Sequence, residues 1–320
     1  MNARRTSKGS IVGLDVGGTQ CAVVIGDQSG EIHRRAEFPT CTERGFEPVF
    51  EKLCGVTAAM LHEAETMARP ASALSVSIGG PMDIDGGIIL SPPNLPGWDR
   101  IPLRDLLEKR FGVSVFIEHD GNAGALAEWY FGAARGANHV IFLTMGTGFG
   151  GGLILNGALY RGACSLAGEV GHIRLASDGP EAFGKAGSWE AFCSGTGFGR
   201  LAAWRYPERF GRGEITPREL AALADRGDGA AAAVIEEAGR WLGRGLALLL
   251  DVLNPEVIVI GTLAIHLGER VLAPAREEMR REALPGSLAA CRVVPAALGE
   301  RLGDVASLCA AIAAQRGSAV

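Results

Sequence analysis

Two glycine-rich turns and two aspartates carry the chemistry that this sequence offers. Gly17, Gly18 and Thr19 follow a short β-rich run, residues 11–14, and Gly146, Thr147 and Gly148 follow another, residues 140–144. Glycines let backbone amides approach anionic oxygens closely and a threonine hydroxyl adds a donor, so each turn suits phosphate. Asp15, just ahead of the first turn, is placed to attract a hydrated magnesium ion. Asp120 stands at the end of a third β-rich run, residues 113–117, beside a glycine. A carboxylate projecting there can take the proton of an attacking hydroxyl in phosphoryl transfer. Taken alone, the same aspartate reads as the cap of the helical stretch that starts near Gly121, and context has to decide between the two.

These side chains need particular elements to hold them. Each glycine turn leads into a second apolar run and then to a hairpin-type turn, Ser29-Gly30 in one copy and Asn156-Gly157 in the other. The same plan used twice predicts a duplicated core whose two loops face one ligand, a nucleoside triphosphate. Gly146, Gly148 and Gly151 also satisfy G-x-G-x-x-G, but the dinucleotide motif requires that turn to open a helix. Here GLILNGALY follows, which is β-rich and broken by Asn156-Gly157. The chain re-enters a strand, and the Rossmann reading fails on context.

The remaining patterns predict helices over residues 44–68, 101–111, from Asp120 onward, 189–205 around an interruption at Ser194-Gly195-Thr196-Gly197, from Thr216, 230–253, 263–284 and 304–315. Strands are predicted to Ile78, over 256–262 and over 291–294. Thr216-Pro217 with Glu219 is a capping-box start. An α/β fold with two mixed sheets follows. The expected division is a smaller N-terminal domain of residues 1–118, rejoined by the helix at 302–320, and a larger domain of residues 119–301. At 320 residues, 47% apolar, the chain can build two cores. A net charge of -5 without a basic cluster argues against nucleic acid. The polar opening MNARRTSKGS and the shortness of the apolar runs predict neither a signal peptide nor a membrane span, hence a cytoplasmic protein. Seven scattered cysteines without a CxxC pair signal neither a disulfide framework nor a standard zinc knuckle.

Together the motifs resemble the ROK family of sugar kinases, in the actin-like and hexokinase-like ATPase superfamily. DVGGT (15–19) and MGTGFGGG (145–152) look like its two phosphate loops, and HDGNA (119–123) like the strand end with the catalytic aspartate. GEVGH (168–172) resembles the sugar-binding Glu-x-Gly-His element, and residues 178–195 the segment that carries a further sugar-contacting glutamate and an adenosine-side Ser-Gly. The resemblance implies two actin-like ATPase (ribonuclease H-like) domains with helix-flanked mixed sheets around a central cleft. It implies an ATP- and Mg²⁺-dependent hexose kinase, glucokinase-like, with Asp120 as the base acting on a sugar hydroxyl, usually that of C6. Asn122, Glu169, His172 and Glu190 would bind the sugar, with Gly80 and Asn94 lining the cleft. Gly17, Gly18, Thr19, Gly146, Thr147, Gly148 and the Gly261 turn would hold ATP, and a homodimer is expected.

Two departures from the family pattern bear on function. Members commonly carry three cysteines after the Glu-x-Gly-His element, which bind structural zinc with the histidine. This chain has Glu181, Phe183 and Ser188 in those places, so no zinc is expected and His172 must be held by other partners. A substitute set of His172, Cys164 and Cys193 has irregular spacing for zinc. His119 stands where asparagine usually precedes the catalytic aspartate and touches the sugar, which would alter sugar preference if it faces the cleft. The alternatives are a sugar-binding sensor that has lost catalysis, or a kinase for an N-acetylhexosamine or fructose. Family repressors carry an N-terminal helix-turn-helix, and the ten residues ahead of the first strand do not predict one.

Overall fold

The computed structural model describes residues 9–211 and 213–317. Residues 1–8, most of the polar opening, and residues 318–320, the tail of the last expected helix, lie outside the described residues, as does Arg212. The chain divides into two compact units, one of residues 9–131, 161–166 and 300–317, the other of residues 132–160 and 167–299 apart from Arg212.

In the first unit β1 (Ser10–Val16), β2 (Gln20–Gly26) and β3 (Ile32–Pro39) form an antiparallel meander. Helix α1 (Phe46–Thr66) leads to β4 (Ala71–Ile78), which lies parallel to β1. A small sheet of β5 (Met82–Asp83), β6 (Ile88–Leu90) and β7 (Asp99–Ile101) precedes α2 (Leu103–Phe111). Strand β8 (Val115–His119) pairs parallel with β4 and runs directly into α3 (Asp120–Phe131).

The second unit begins with β9 (Val140–Leu143), β10 (Gly151–Leu155) and β11 (Ala158–Tyr160). A short hairpin, β12 (Glu181–Ala182) and β13 (Lys185–Ala186), leads to helices α4 (Trp189–Cys193), α5 (Gly195–Arg205) and α6 (Pro207–Phe210). Helices α7 (Pro217–Asp225) and α8 (Gly229–Leu253) follow, then β14 (Val257–Ile260) and α9 (Thr262–Leu267). The unit ends with α10 (Glu269–Glu282), α11 (Pro285–Ala290) and β15 (Arg292–Pro295). Helix α12 (Leu302–Arg316) returns to the first unit.

The sheet orders are β3-β2-β1-β4-β8 and β11-β10-β9-β14-β15. Both read third, second, first, fourth, fifth, so the sequence repeat is a repeat of strand order. In each unit the Gly-Thr turn joins the first strand to the second. No helix follows Gly151, which opens β10.

Alternation along β1 explains how this architecture aims its aspartate. Val12, Leu14 and Val16 enter the core shared with α1, whereas Ile11 packs with Leu308, Ala311 and Ile312 of α12 on the other face. Asp15 lies on the α12 face by the two-residue period. A Cβ on Gly303, at the start of α12, would lie 2.7 Å from Asp15 Oδ2, so that helix begins against this carboxylate.

Several features differ from expectation. The stretch 263–284 is two helices, because Gly268 at φ 56 breaks it. The stretch 189–205, by contrast, is interrupted where the sequence reads it, at Ser194, whose Oγ accepts from Gly197 N at 2.9 Å and restarts the chain as α5. Strand β3 and the small β5–β7 sheet have no counterpart in the sequence reading. The first unit runs on past residue 118, because α3 packs on α12, and residues 161–166 join it through Arg161. Among the described residues no helix is long and apolar enough to cross a membrane.

Candidate active site

In the first unit the end of β8 delivers His119 and Asp120 next to Gly79 and Gly80, which follow β4. Asp120 is half-exposed; its Oδ1 accepts from Gly121 N at 2.7 Å and so caps α3, while Oδ2 points toward Gly79. The helix-capping reading of this residue therefore holds, and it leaves Oδ2 outside the cap. The His119 ring lies against Gly80, where a Cβ would sit 2.8 Å from Cδ2 and 3.1 Å from Nε2. Its Nδ1 lies 3.2 Å from Gly121 N and 3.3 Å from Asp120 Oδ1.

Beneath them Glu118 is buried at 1% exposure and accepts from Arg161 Nε at 3.1 Å and from Asn122 Nδ2 at 2.9 Å. Asn122 is itself 1% exposed, and its Oδ1 is buried without a hydrogen-bond partner. The Glu118–Arg161 pair is absent from the sequence reading. A lone glutamate in a strand and a distant arginine carry no spacing signal.

Asp15 is pushed up to about 7, chiefly by burial and then by the negative charges of Asp120 and Asp304, with Arg35 pulling the other way. Asp304, another residue the sequence does not reveal, takes Arg35 Nε on both oxygens at 3.0 Å. Asp15 is thus the carboxylate of this unit that would attract a hydrated magnesium ion, acting through water. The first glycine turn is closed by Gly17 N donating to Gln20 O at 3.1 Å and Thr40 Oγ1 to Gly17 O at 2.7 Å. Asn94 packs against it, since a Cβ on Gly18 would lie 2.7 Å from Asn94 O.

In the second unit the turn from β9 to β10 is pinned at both ends. Thr144 N donates to Gly150 O at 2.9 Å, and Gly150 N to Thr144 Oγ1 at 3.0 Å. Met145, buried, is held at φ 38, a conformation rare for a long side chain that marks strain in this loop. Gly195 N donates to Gly146 O at 2.7 Å and Thr196 Oγ1 to Thr147 O at 3.1 Å, so the start of α5 is tied to the turn. Gly261 N donates to Leu143 O at 2.8 Å, bringing the start of α9 to the same place.

Together these ends line an open cavity of about 700 Å³, walled by Gly146, Thr147, Thr196, Arg200, Thr216 and Leu263 among others. Of the residues the sequence assigns to ATP, Gly146 and Thr147 line this cavity and Gly261 adjoins it through Thr262, whereas Arg200 and the α7 start were not assigned. Thr216 caps α7 in the expected capping box with Glu219.

Glu169 and His172 bracket one 3-10 turn, where side chains three apart eclipse. Both lie near enough to Glu190 for their charges to act on it. That turn packs so closely on the glycine loop that a Cβ on Gly171 would lie 2.0 Å from Phe149 O. Glu190, in the first turn of α4, joins them. Its Oε2 accepts from Phe149 N at 2.9 Å. Burial pushes its carboxyl above the usual range and Glu169 adds to this, against the Phe149 hydrogen bond, Arg200 and His172. The structure thus brings Glu169, His172 and Glu190 together on the phosphate-type loop.

The zinc ligands that the family pattern would require are not in place. Phe183 has no donor and stacks on His172, and Ser188 Oγ caps α4. Cys193 is fully buried, with Sγ directed at Ala238 O. Among the described residues the one group of three metal-ligating side chains within reach of a shared ion is Asp27, Glu31 and His33, far along the chain from His172.

The sequence model of the ROK family matches residues 11–313. The chain belongs to the ROK family. A glucokinase of Thermotoga maritima is 32% identical over 310 residues, covering 92% of this chain and 94% of that one. A solved ROK hexokinase from Thermus thermophilus superposes with a TM-score of 0.81 at 34% identity, over 96% of this chain and 100% of that one. A ROK family glucokinase from Streptomyces griseus, solved with glucose and AMPPNP, gives a TM-score of 0.78 at 32% identity, over 96% and 100% of the two chains. The fold class is that of these ROK kinases, with two actin-like ATPase units of helix-flanked mixed sheet.

Proposed function

We propose that the chain is an ATP-dependent hexose kinase that transfers the γ-phosphoryl group to a sugar hydroxyl, that of C6, with glucose the first candidate. The observation that carries this is Asp120 at the end of β8: a half-exposed carboxylate with one oxygen committed to Gly121 N and the other open beside Gly79.

In this reading Asp120 Oδ2 accepts the hydroxyl proton as the sugar oxygen bonds to the γ-phosphorus. The bond to the bridging oxygen breaks and its electron pair leaves with ADP. Backbone donors of Gly17, Gly18 and Thr19 and of Gly146, Thr147 and Gly148 meet the phosphate charge, and the cavity beside Thr196, Arg200 and the Gly261 turn takes the nucleoside. Magnesium, bound at Asp15, would neutralise charge on the transferring phosphates. Glu169, His172 and Glu190 orient the sugar, because carboxylate and imidazole each pair with a hydroxyl directionally. Gly80, Asn94 and His119 are the further candidates for sugar contact, and Asn122 supports His119 through Glu118.

Loss of zinc ligands motivates the rival reading as a sensor without catalysis; the complete Asp15, Asp120 and loop set favours the kinase. Exposed Leu248, Val252 and Leu284 around the end of α8 support a homodimer through the second unit, and a cytoplasmic location accords with the use of ATP.

A coupled ADP-release assay over glucose, mannose, fructose, N-acetylglucosamine and N-acetylmannosamine tests the activity. Asp120→Asn is expected to lower kcat by about 10²–10⁴ with the fold intact. Turnover of no sugar above that variant would sink the kinase reading and leave the sensor.

A further inference from the structure

The segment that would carry zinc cysteines is instead a self-supporting hairpin. Its turn, Ala182 to Lys185, places Phe183 at φ 55 and Gly184 at φ 67, the left-handed pair of a type I′ turn. Asparagine or glycine is the usual occupant of the first of these positions, and a phenylalanine there is costly. Phe183 is also 45% exposed, so burial of its own ring does not account for it.

What the ring touches is His172. The two rings stack with centroids 3.7 Å apart and planes inclined by 19°. Lys185 Nζ, on the next strand, donates to His172 O at 2.5 Å. The hairpin's base is fixed independently, by Gly187 N to Pro180 O at 3.0 Å, Leu175 N to Gly187 O at 2.8 Å and Trp189 N to Ile173 O at 2.8 Å.

We propose that Phe183 is a positioning residue that replaces the family's metal: its ring fixes the plane of the His172 imidazole for the sugar, so this kinase works without structural zinc. A zinc-bound histidine gives one ring nitrogen to the metal. Here the stack occupies the ring face and leaves both nitrogens in the ring plane for hydrogen bonds. The proposal rests on His172 binding the sugar, as set out above.

The full-length protein tests it through Phe183→Ala, Phe183→Asn and Phe183→Tyr. Asparagine suits the left-handed turn, so Phe183→Asn is expected to melt no lower than the wild type while it loses the stack. Sugar KM should rise about three- to tenfold in the alanine and asparagine variants, with kcat and the KM for ATP unchanged, and the tyrosine variant should restore it. The His172 ring-proton resonances, shifted by the Phe183 ring current, should move to ordinary positions in Phe183→Asn. Metal analysis of the wild type should find no stoichiometric zinc, and a zinc chelator should leave melting unchanged.

One zinc per chain would overturn the proposal, as would an unchanged sugar KM in Phe183→Asn despite moved resonances. If the wild type turned over no hexose, the activity reading would fail separately, and unmoved resonances would overturn the stack by themselves.

Discussion

Glu190 has two tasks in this structure, and two substitutions separate them. One oxygen holds Phe149 N at 2.9 Å, and the other is the oxygen assigned to the sugar. Glu190→Ala removes the acceptor and leaves the amide of Phe149, a residue 3% exposed, without its partner. An unsatisfied buried donor costs about 1–3 kcal/mol, or roughly 2–10 °C of melting temperature for a unit of this size. Glu190→Gln keeps a carbonyl oxygen for Phe149 N. It exchanges a charge-assisted bond for a neutral one, a loss of about 1 kcal/mol, but also removes a charge that burial disfavours. These effects oppose each other, so melting should change little at neutral pH.

The sign with pH follows from the direction of the shift. A carboxyl raised in the fold contributes stability at low pH that is lost as pH rises through its folded value. The glutamine variant, which does not titrate, should therefore compare best with the wild type at neutral pH and lose ground as pH falls into the ordinary glutamate range. At the sugar, a neutral bond in place of a charged one weakens binding by about 1–1.5 kcal/mol, a five- to tenfold rise in sugar KM. Thermal melting and sugar titrations of both variants provide the test. Equal melting of Glu190→Ala and Glu190→Gln would refute the anchoring role, and an unchanged sugar KM in Glu190→Gln would refute the contact.

Two further outcomes follow from the first unit. Asp15 must be ionised to attract magnesium. With its value near 7, the magnesium concentration for half-maximal rate should rise about tenfold per pH unit below that point and level off above it; a flat magnesium requirement between pH 5.5 and 8 would count against Asp15. Gly80→Ala drives a Cβ into His119 and disturbs the Gly121 N–H bond to Nδ1, with Asp120 as the next residue. It should lower kcat/KM by about 10- to 100-fold, and in a His119→Ala background it should add little to the loss that His119→Ala causes by itself; a full further loss would mean that the His119 contact is not the cause.

The features legible in the sequence were those with short-range signatures. The Gly-Thr turns, the Asn156-Gly157 hairpin, the Thr216 capping box and the strand end at Asp120 each depend on residues within a few positions, and each stands where the pattern puts it. Strand β3 was not legible because IHRRAEFP, a strand largely open to solvent, lacks a clean two-residue alternation. Asp304, Arg161 and Phe183 escaped for another reason. Their meaning comes from residues far away in the chain or, for Phe183, from a ring across a turn, and neither composition nor periodicity records such contacts. The Glu-x-Gly-His group was recognised through resemblance, while the closeness of Gly171 to Phe149 O, which fixes it on the glycine loop, required coordinates.

The return of α12 to the first sheet has a consequence for biosynthesis. Gly13 would place a Cβ 2.2 Å from Ser307 Oγ, and Ala311 N donates to Ser75 Oγ at 3.2 Å, so β1 and β4 present a bare, partly polar face shaped for a helix translated much later. At 5–20 residues per second, a ribosome takes on the order of ten to thirty seconds to travel from the end of α3 to α12. During that interval the first unit waits with an apolar face uncovered, and β15, the last strand of the second unit, ends only seven residues ahead of α12. Both units are therefore completed almost together at the end of synthesis, and the uncovered face of the first is the surface a chaperone would meet on the nascent chain.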